Sequence, residues 1–348
     1  MTLSIIVPTY NRGACLAESL PWLKEQVIRN RSKVELIVCD NASTDNTVDI
    51  LNRINGDDPF FSVVRYREHA ASVGTSIARS AENGIGRYLL LWSDDDIPAP
   101  WMIDMYLEDI NKHPDAISIV SNRFYAISDN LVPVLPVHGA GVLDRNFPEY
   151  SKTYIDAGQF ILEHINSFTF LGVNVIRRAE FLGEMNHFSD KYFGWEYLLP
   201  MLIAMSKGPN VYLSFPSCCQ RGITGFANHA VKWPLFVYCG LPRLLVKAQE
   251  LGVINSWRKV YSEYRNTKRD FCKAIFDHAL LSPDLYLPYV KEMKSYQTSW
   301  IRRHVLGLIG ASAWRKAMAR MLFRFAMSRI GKFGLKCLKM MLLRRAKR

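Results

Sequence analysis

Four short apolar runs alternate with segments of helical spacing over the first hundred residues of this chain. Between the first two runs, leucine and valine recur at spacings of four, three and four over 16–27, which indicates an amphipathic helix. Repeated strand–helix units predict an α/β fold with a mainly parallel sheet and flanking helices. Ligands of such sheets bind beyond the carboxyl ends of the strands. The four apolar runs lie at 3–7, 34–39, 63–66 and 87–92.

Composition narrows the class of protein. The 348 residues are 49% hydrophobic and 22% charged, as in globular proteins, which argues against disorder throughout. No apolar run reaches 18 residues, so no conventional membrane-spanning helix is predicted. The first residues lack the basic start and long apolar stretch of a secretory signal. Seven cysteines without a CxxC pair favour reduced thiols in the cytoplasm over disulfides or structural zinc.

Basic charge is concentrated at the end of the chain. Residues 301–348 contain 14 Lys or Arg and no Asp or Glu, whereas 1–300 carry a net charge of −2. Apolar residues recur at helical spacing over 314–325 opposite three basic residues, which predicts a basic amphipathic helix. We expect this tail to dock on the anionic inner face of the cell membrane. Packing on the body or on a partner helix stays an alternative, and nucleic-acid binding is disfavoured because no recognition motif accompanies the charge.

The patterns divide the chain into three parts. A first domain covers 1–228 and has two halves, at 1–105 and 106–228. Strand signals fade after about 229, which predicts a helical extension over 229–300. The basic tail at 301–348 completes the helical C-terminal region.

Polar clusters follow three of the four predicted strands. Asp94, Asp95 and Asp96 come directly after the fourth, and adjacent carboxylates are ligands for a hard divalent cation. The alternative is a helix cap, for which one aspartate suffices. Asp40 ends the second strand, where an acceptor suits a base N–H or a ribose hydroxyl, although a turn aspartate would look the same. Neither GxGxxG nor a P-loop is present.

These motifs together resemble family 2 glycosyltransferases. The carrying segments are IIVPTYNR at 5–12, CDNASTDNT at 39–47, and GRY at 86–88 leading to the three aspartates at 94–96. The resemblance is strong over 1–105, moderate over 165–225 and absent beyond about 230. It implies a GT-A fold over 1–228, with a nucleotide-binding half at 1–105 and an acceptor half at 106–228. A nucleotide-activated sugar donor, Mg²⁺ or Mn²⁺, and inversion at the anomeric carbon are implied as well. It also implies that Pro8, Thr9 and Tyr10 line the nucleotide base and that Asp40 accepts from it.

The metal motif of the family usually reads Asp-x-Asp-Asp, with a proline four residues after the last aspartate. Pro100 lies four residues after Asp96, so Asp95 falls on the metal-binding position with Asp96 beside it. Asp94 then faces the ribose or the sugar. Ser93 replaces the first aspartate, which puts ligation by two carboxylates in question.

The resemblance also implies a catalytic base. Inverting transfer needs a carboxylate that takes the proton of the acceptor hydroxyl. The family often carries it in Gly-x-Glu-Asp before a helix. Glu196 falls on the last carboxylate of that motif, and Trp195 replaces its neighbour. Asp190 is the nearest rival, and a first-turn glutamate favoured by the helix dipole is the structural alternative.

The expected protein is thus a peripheral glycosyltransferase on the cytoplasmic face of the membrane, building a surface polysaccharide on a glycan or lipid-linked acceptor. A membrane-docked scaffold without catalysis is one alternative, kept open by Ser93 and Trp195. A nucleotidyltransferase-like metal enzyme is the other, but 8–12 lacks the glycine-rich phosphate loop expected of it.

Overall fold

A computed structural model describes most of the chain. The predicted membrane-docking tail at 301–348 lies outside the described residues. The described ranges are 1–56, 58–126, 133–136, 151–221, 233–267 and 289–296.

A single sheet organises the described residues. The strand order along it is β3-β2-β1-β4-β9-β6-β10-β5, with β7 paired to β6 and β8 paired to β10. Its ten strands are β1 (Leu3–Thr9), β2 (Val34–Asp40), β3 (Phe61–Arg65), β4 (Tyr88–Leu91), β5 (Ile97–Pro98), β6 (Ser118–Ala126), β7 (Pro133–Pro136), β8 (Ser151–Tyr154), β9 (Asn174–Arg177) and β10 (Asn210–Arg221).

Helices follow most of the strands, as the alternating pattern predicts. The helices of the described residues are α1 (Gly13–Arg29), α2 (Thr47–Asn55), α3 (Val73–Ala81), α4 (Met102–Lys112), α5 (Ala157–Phe168), α6 (Arg178–Leu182), α7 (Leu198–Met205), α8 (Leu241–Glu250), α9 (Trp257–Thr267) and α10 (Val290–Tyr296).

The first half of the sheet is parallel. β1 pairs in parallel with both β2 and β4, and β2 pairs in parallel with β3. β1, β2 and β4 read as nearly continuous apolar runs and are buried along almost their whole length, as is typical of strands in a parallel sheet that is covered on both faces. The helical stripe predicted at 16–27 packs inward, since Leu16, Leu20, Leu23 and Val27 are at most 1% exposed. The predicted α/β fold class is confirmed.

The second half of the sheet is mixed. β9 runs antiparallel to β4 and β6, and β10 runs parallel to β6. β4, β6 and β10 therefore point the same way as β1, and their carboxyl ends share one edge. Gly172, with a φ of 102°, turns the chain between the end of α5 and the start of β9.

The described chain divides into two compact units. One comprises residues 1–229 and 240–269, and the other comprises 230–239 and 270–348. The described part of the second unit contains a short helical segment over 233–239 and helix α10. Among the described helices, none combines the length and the apolar character that crossing a bilayer requires.

Candidate functional site

The ends of β1 and β4 bring two predicted site residues together. The strands are parallel neighbours, so the residues that follow them lie at the same sheet edge. The Thr9 hydroxyl donates a hydrogen bond of 2.8 Å to the Asp94 carboxylate. Thr9 is 3% exposed. Two segments 85 positions apart thus meet at the carboxyl edge, where the strand pattern predicts a ligand site.

Arg12 bridges the first two aspartates of the triplet. Its Nε lies 3.2 Å from Asp94 Oδ1, and its Nη2 pairs with Asp95 Oδ2. The side chains of Arg12, Asp94 and Asp95 are 17%, 12% and 15% exposed, so water screens this cluster little. The sequence motif contains Arg12, but nothing in the spacing predicts that one guanidinium contacts both carboxylates.

The cluster of Arg12, Asp94 and Asp95 contains more negative than positive charge. Burial and the neighbouring charge of Asp95 together raise the pKa of Asp94 to about 6, against the opposing effect of Arg12. Burial also lowers the pKa of Arg12, but the two carboxylates outweigh that effect and keep the guanidinium charged. Two carboxylates share one guanidinium, which leaves an excess of negative charge at the sheet edge.

Two serines orient the triplet. Ser93, which stands where the family pattern has an aspartate, donates a 2.5 Å hydrogen bond to Asp95 Oδ1. Ser19 of α1 donates a 3.0 Å hydrogen bond to the Asp94 carbonyl. Only a donor at position 93 makes the first of these contacts with an ionised carboxylate. Ser93 therefore positions Asp95 in a way that an aspartate would not.

Asp96 has different surroundings from those of Asp94 and Asp95. It is 2% exposed and immediately precedes β5. Burial lowers the pKa of Arg123 to about 10, and Asp96 is among the negative groups that oppose this shift. Arg123 is itself buried and donates to Gln220 at 2.8 Å and to the Asn166 carbonyl at 3.2 Å. Asp96 thus lies in the field of a second, buried arginine.

The chemistry of these side chains fits a divalent cation. Asp94 and Asp95 offer neighbouring carboxylate oxygens at an edge with excess negative charge, which is the donor set that Mg²⁺ and Mn²⁺ prefer. Within the described ranges, no group of three or more Asp, Glu, His or Cys side chains forms a metal site. The two carboxylates fit a cation that takes its other ligands from phosphate and water.

The end of β2 carries the second polar cluster. Asp40 is 2% exposed and accepts a 3.2 Å hydrogen bond from the Ser43 amide, as a turn aspartate does. Pro8 lies opposite Cys39 in the register of β1 and β2. Tyr10 is 40% exposed, and its ring centroid is 4.1 Å from that of His69. An exposed aromatic face beside the strand ends is suited to stacking on a planar base.

Arg79 of α3 is a further candidate that the sequence reasoning missed. Its guanidinium lies over the Tyr66 ring at 3.7 Å and donates to the Asn41 side chain and the Glu68 carbonyl. Asn41 also contacts His69 at 3.1 Å. A single arginine on the polar side of a predicted helix gives little signal, because its reach depends on how α3 packs. The structure joins it to the cluster around Tyr10.

Glu196 lies in a third, buried setting. It is 1% exposed, and its side chain packs against Gly74 in the first turn of α3. Burial raises the pKa of Glu196, although the Gly194 amide and the Ser72 hydroxyl act to lower it. Among the described residues, neither carboxylate oxygen has a hydrogen-bond partner of good geometry. Asp190, the rival carboxylate, is exposed.

Comparison with known proteins agrees with this architecture. Residues 4–180 match the family model described as glycosyl transferase family 2. A glycosyltransferase named GlyG from Streptococcus pneumoniae is 27% identical over 127 residues, which cover 35% of this chain and 39% of that protein. Chondroitin synthase from Pasteurella multocida is 22% identical over 167 residues, covering 48% of this chain and 16% of that enzyme. The chain thus spans about two fifths or less of the length of these relatives.

Solved structures share the fold over nearly the whole chain. Residues 1–349 of S. aureus TarS in complex with UDP-GlcNAc superimpose with a TM-score of 0.61 at 16% identity, covering 94% of this chain and 93% of that one. The mannosyltransferase PcManGT from Pyrobaculum calidifontis, in complex with GDP-Man and Mn²⁺, gives a TM-score of 0.53 at 16% identity, covering 95% and 82%. At this identity, the likeness concerns the fold.

Proposed function

The chain belongs to glycosyl transferase family 2, and from that premise we propose that it transfers a sugar from a nucleoside-diphosphate donor to a hydroxyl of a glycan or lipid-linked acceptor. We propose inversion at the anomeric carbon and dependence on Mg²⁺ or Mn²⁺. The surface polysaccharide class is supported by the synthases among its relatives, although each of those proteins is much longer than its match to this chain.

One observation carries the proposal. Thr9, Arg12, Asp94 and Asp95 converge at the carboxyl edge of a parallel sheet, where they leave an excess of negative charge. A divalent cation offsets such charge and binds phosphate oxygens at the same time. The exposed Tyr10 ring, with His69 and Arg79 near it, is the proposed position of the base. Asp40 is proposed to accept from that base, with Pro8 beside it.

Asp95 is the proposed metal ligand. The resemblance assigns Asp96 beside it and Asp94 to the ribose or sugar. Because Asp96 lies in the field of the buried Arg123, whereas Asp94 shares Arg12 with Asp95, we propose Asp94 as the second carboxylate at the cation. The bound cation would supply Lewis-acid neutralisation of the charge that develops on the departing nucleoside diphosphate. The protein's part is to hold the carboxylates in place. Ser93 does so for Asp95, and Thr9 and Arg12 do so for Asp94.

Glu196 is the proposed general base. Its raised pKa suits a group that receives a proton, but its carboxylate is buried at the start of α3. The assignment therefore requires the preceding turn to open when the acceptor binds. Phe193 and Gly194 form that turn with φ values of 49° and 92°. A positive φ is ordinary for glycine but costly for a residue such as Phe193, and strained residues of this kind cluster at functional sites.

The base assignment has a direct test. We expect Glu196→Gln to lower kcat by at least about 100-fold, the usual contribution of general-base catalysis, while the donor Kd is unchanged. Asp190→Asn is the matched control, because it neutralises an exposed carboxylate six residues away. A large kcat loss in Asp190→Asn with near-normal turnover of Glu196→Gln would transfer the role to Asp190.

Donor class and cation are tested together by thermal shift. Nucleoside diphosphates and nucleotide sugars are added to the protein with and without Mn²⁺, and a ligand at 100 times its Kd stabilises by about 2.7 kcal/mol. We expect one nucleotide to raise Tm, and more so with Mn²⁺. Asp95→Ala should lose the Mn²⁺-dependent part, whereas Asp115→Asn, an exposed aspartate after α4, should keep it. No shift with any nucleotide would contradict the proposal.

A further inference from the structure

Arg12 takes one oxygen from each of two carboxylates. Guanidinium Nε and Nη2 form the edge that commonly donates two parallel hydrogen bonds to the two oxygens of a single carboxylate. Here that edge is divided, with Nε on Asp94 Oδ1 and Nη2 on Asp95 Oδ2. A divalent cation that bridges two aspartates uses the same ligand pattern, one oxygen from each. Arg12 therefore contacts the carboxylate oxygens that the proposed cation would use.

The single positive charge of Arg12 does not balance the two negative charges of Asp94 and Asp95. One guanidinium offsets half of the charge of Asp94 and Asp95, whose side chains are only 12% and 15% exposed. A divalent cation, with two positive charges, offsets the charge of both carboxylates. Exchange of the guanidinium for a cation is consequently favourable for the carboxylates, provided that the guanidinium finds another anion.

The backbone of Arg12 is held independently of its side chain. Its amide donates a 3.0 Å hydrogen bond to the Thr47 hydroxyl, and Gly13 begins α1 directly after it. The guanidinium is at the end of a long, flexible side chain that is 17% exposed. Moving the guanidinium off the carboxylates therefore leaves α1 and the turn after β1 in place.

We propose that Arg12 is a displaceable internal counter-ion of the donor site. Without a cation, its guanidinium holds Asp94 and Asp95 together. A divalent cation that arrives with a diphosphate takes its place on the carboxylates, and the released guanidinium pairs with the diphosphate. The inference rests on the proposed function for the identity of the diphosphate, but the exchange between guanidinium and cation stands apart from it.

The exchange is tested by titrating nucleotide-free protein with Mn²⁺ and measuring the free ion by electron paramagnetic resonance. Arg12→Gln should bind Mn²⁺ at least about tenfold more tightly than wild type, because the cation no longer competes with charged hydrogen bonds. Arg29→Gln is the matched control. It removes an exposed charge from the same helix, about 25 Å further along, and should change the affinity less than about twofold.

Two further variants show whether a change in Mn²⁺ affinity comes from loss of folding or from binding at a different site. Arg12→Lys retains a positive charge but lacks the two-pronged edge, so it should also bind Mn²⁺ more tightly than wild type. Adding Asp95→Asn to Arg12→Gln should remove the gain in affinity. Unchanged or weaker Mn²⁺ binding in both Arg12 variants would overturn the proposal, as would absence of Mn²⁺ binding in all of the proteins.

The effect of UDP on Mn²⁺ affinity separates this inference from the proposed function. UDP should tighten Mn²⁺ binding more in wild type than in Arg12→Gln, since only wild type has a guanidinium to release onto the diphosphate. Equal tightening in both would overturn the transfer of Arg12 to the diphosphate. If no nucleotide bound any variant, the proposed function would fail, while the Mn²⁺ titration would still decide whether Arg12 is a displaceable counter-ion.

Discussion

At the scale of single residues, the site is a set of charges held in a buried place. Asp94 and Asp95 lie next to each other with low exposure, and Arg12 offsets part of their charge. Such an arrangement costs stability, because burial disfavours charge that is not fully paired. Active sites commonly accept this cost in exchange for affinity toward a charged ligand.

The raised pKa of Asp94 makes that cost measurable. Burial and Asp95 raise it from 3.8 to about 6, so the folded state favours the protonated form. This contribution to stability is fully present below pH 3.8 and is lost as the pH rises through 6. We expect Asp94→Asn to gain Tm relative to wild type as the pH goes from about 4 to about 7. Scanning calorimetry across that range measures it.

Asp115→Asn is the control for this pH series, because Asp115 is exposed. Its Tm difference from wild type should stay flat over the same range. A Tm of Asp94→Asn that falls relative to that of wild type with rising pH would show that Arg12 more than compensates the buried charge of Asp94.

The contacts of short side chains follow from the sequence more directly than the contacts of long side chains. Thr9 and Asp94 meet at the sheet edge where polar clusters are expected to collect. Thr9 ends β1, Asp94 follows the end of β4, and the two strands are neighbours. Arg12 and Arg79 were not assigned roles. Their guanidinium groups sit several bonds from the backbone, so their contacts depend on tertiary packing rather than on spacing along the chain.

At the scale of elements, the start of α3 receives a side chain from a distant segment. Ser72 caps this helix by accepting a hydrogen bond from the Thr75 amide. Gly74 lies in the first turn, where a Cβ would come within 2.7 Å of the Glu196 Cβ and would collide with its carboxylate. The glycine therefore makes room for Glu196, and α3 depends on the segment before α7 for its packing.

Gly74→Ala tests this contact. The added methyl group should destabilise the protein by about 1–3 kcal/mol, as overpacking of a close contact does. In a Glu196→Ala background the same change should cost about 1 kcal/mol less, because the carboxylate clash is gone. Urea unfolding of the four proteins of the cycle measures the coupling. Additive effects would mean that Glu196 moves away freely, which would favour its proposed catalytic mobility.

At the scale of the whole molecule, the body is nearly neutral and the basic charge lies in the tail at 301–348. The tail is outside the described residues, so its helix and its membrane role stay predictions. Docking on an anionic surface would hold the enzyme where a lipid-linked acceptor is found. We propose that placement in addition to the transfer reaction.

Charge removal within the full-length chain tests the tail. Changing Lys316, Arg320 and Arg324 to Gln should weaken binding to anionic vesicles about 100-fold, at about 1 kcal/mol for each charge. The matched control changes the exposed Arg31, Lys33 and Arg53 of the body to Gln. Vesicle sedimentation compares them. Equal weakening in both triple variants would indicate a general charge effect and would remove the tail's special role.

The sequence alone determined the alternating strands and helices, the edge at which the polar clusters collect, and the family, because each is encoded in local periodicity and short motifs. Tertiary structure decided which charges became partners. It placed Arg12 on two carboxylates, Asp96 in the field of Arg123, and Glu196 against Gly74. Those contacts join segments far apart in the chain, and their geometry follows from how helices pack on the sheet rather than from any spacing within it.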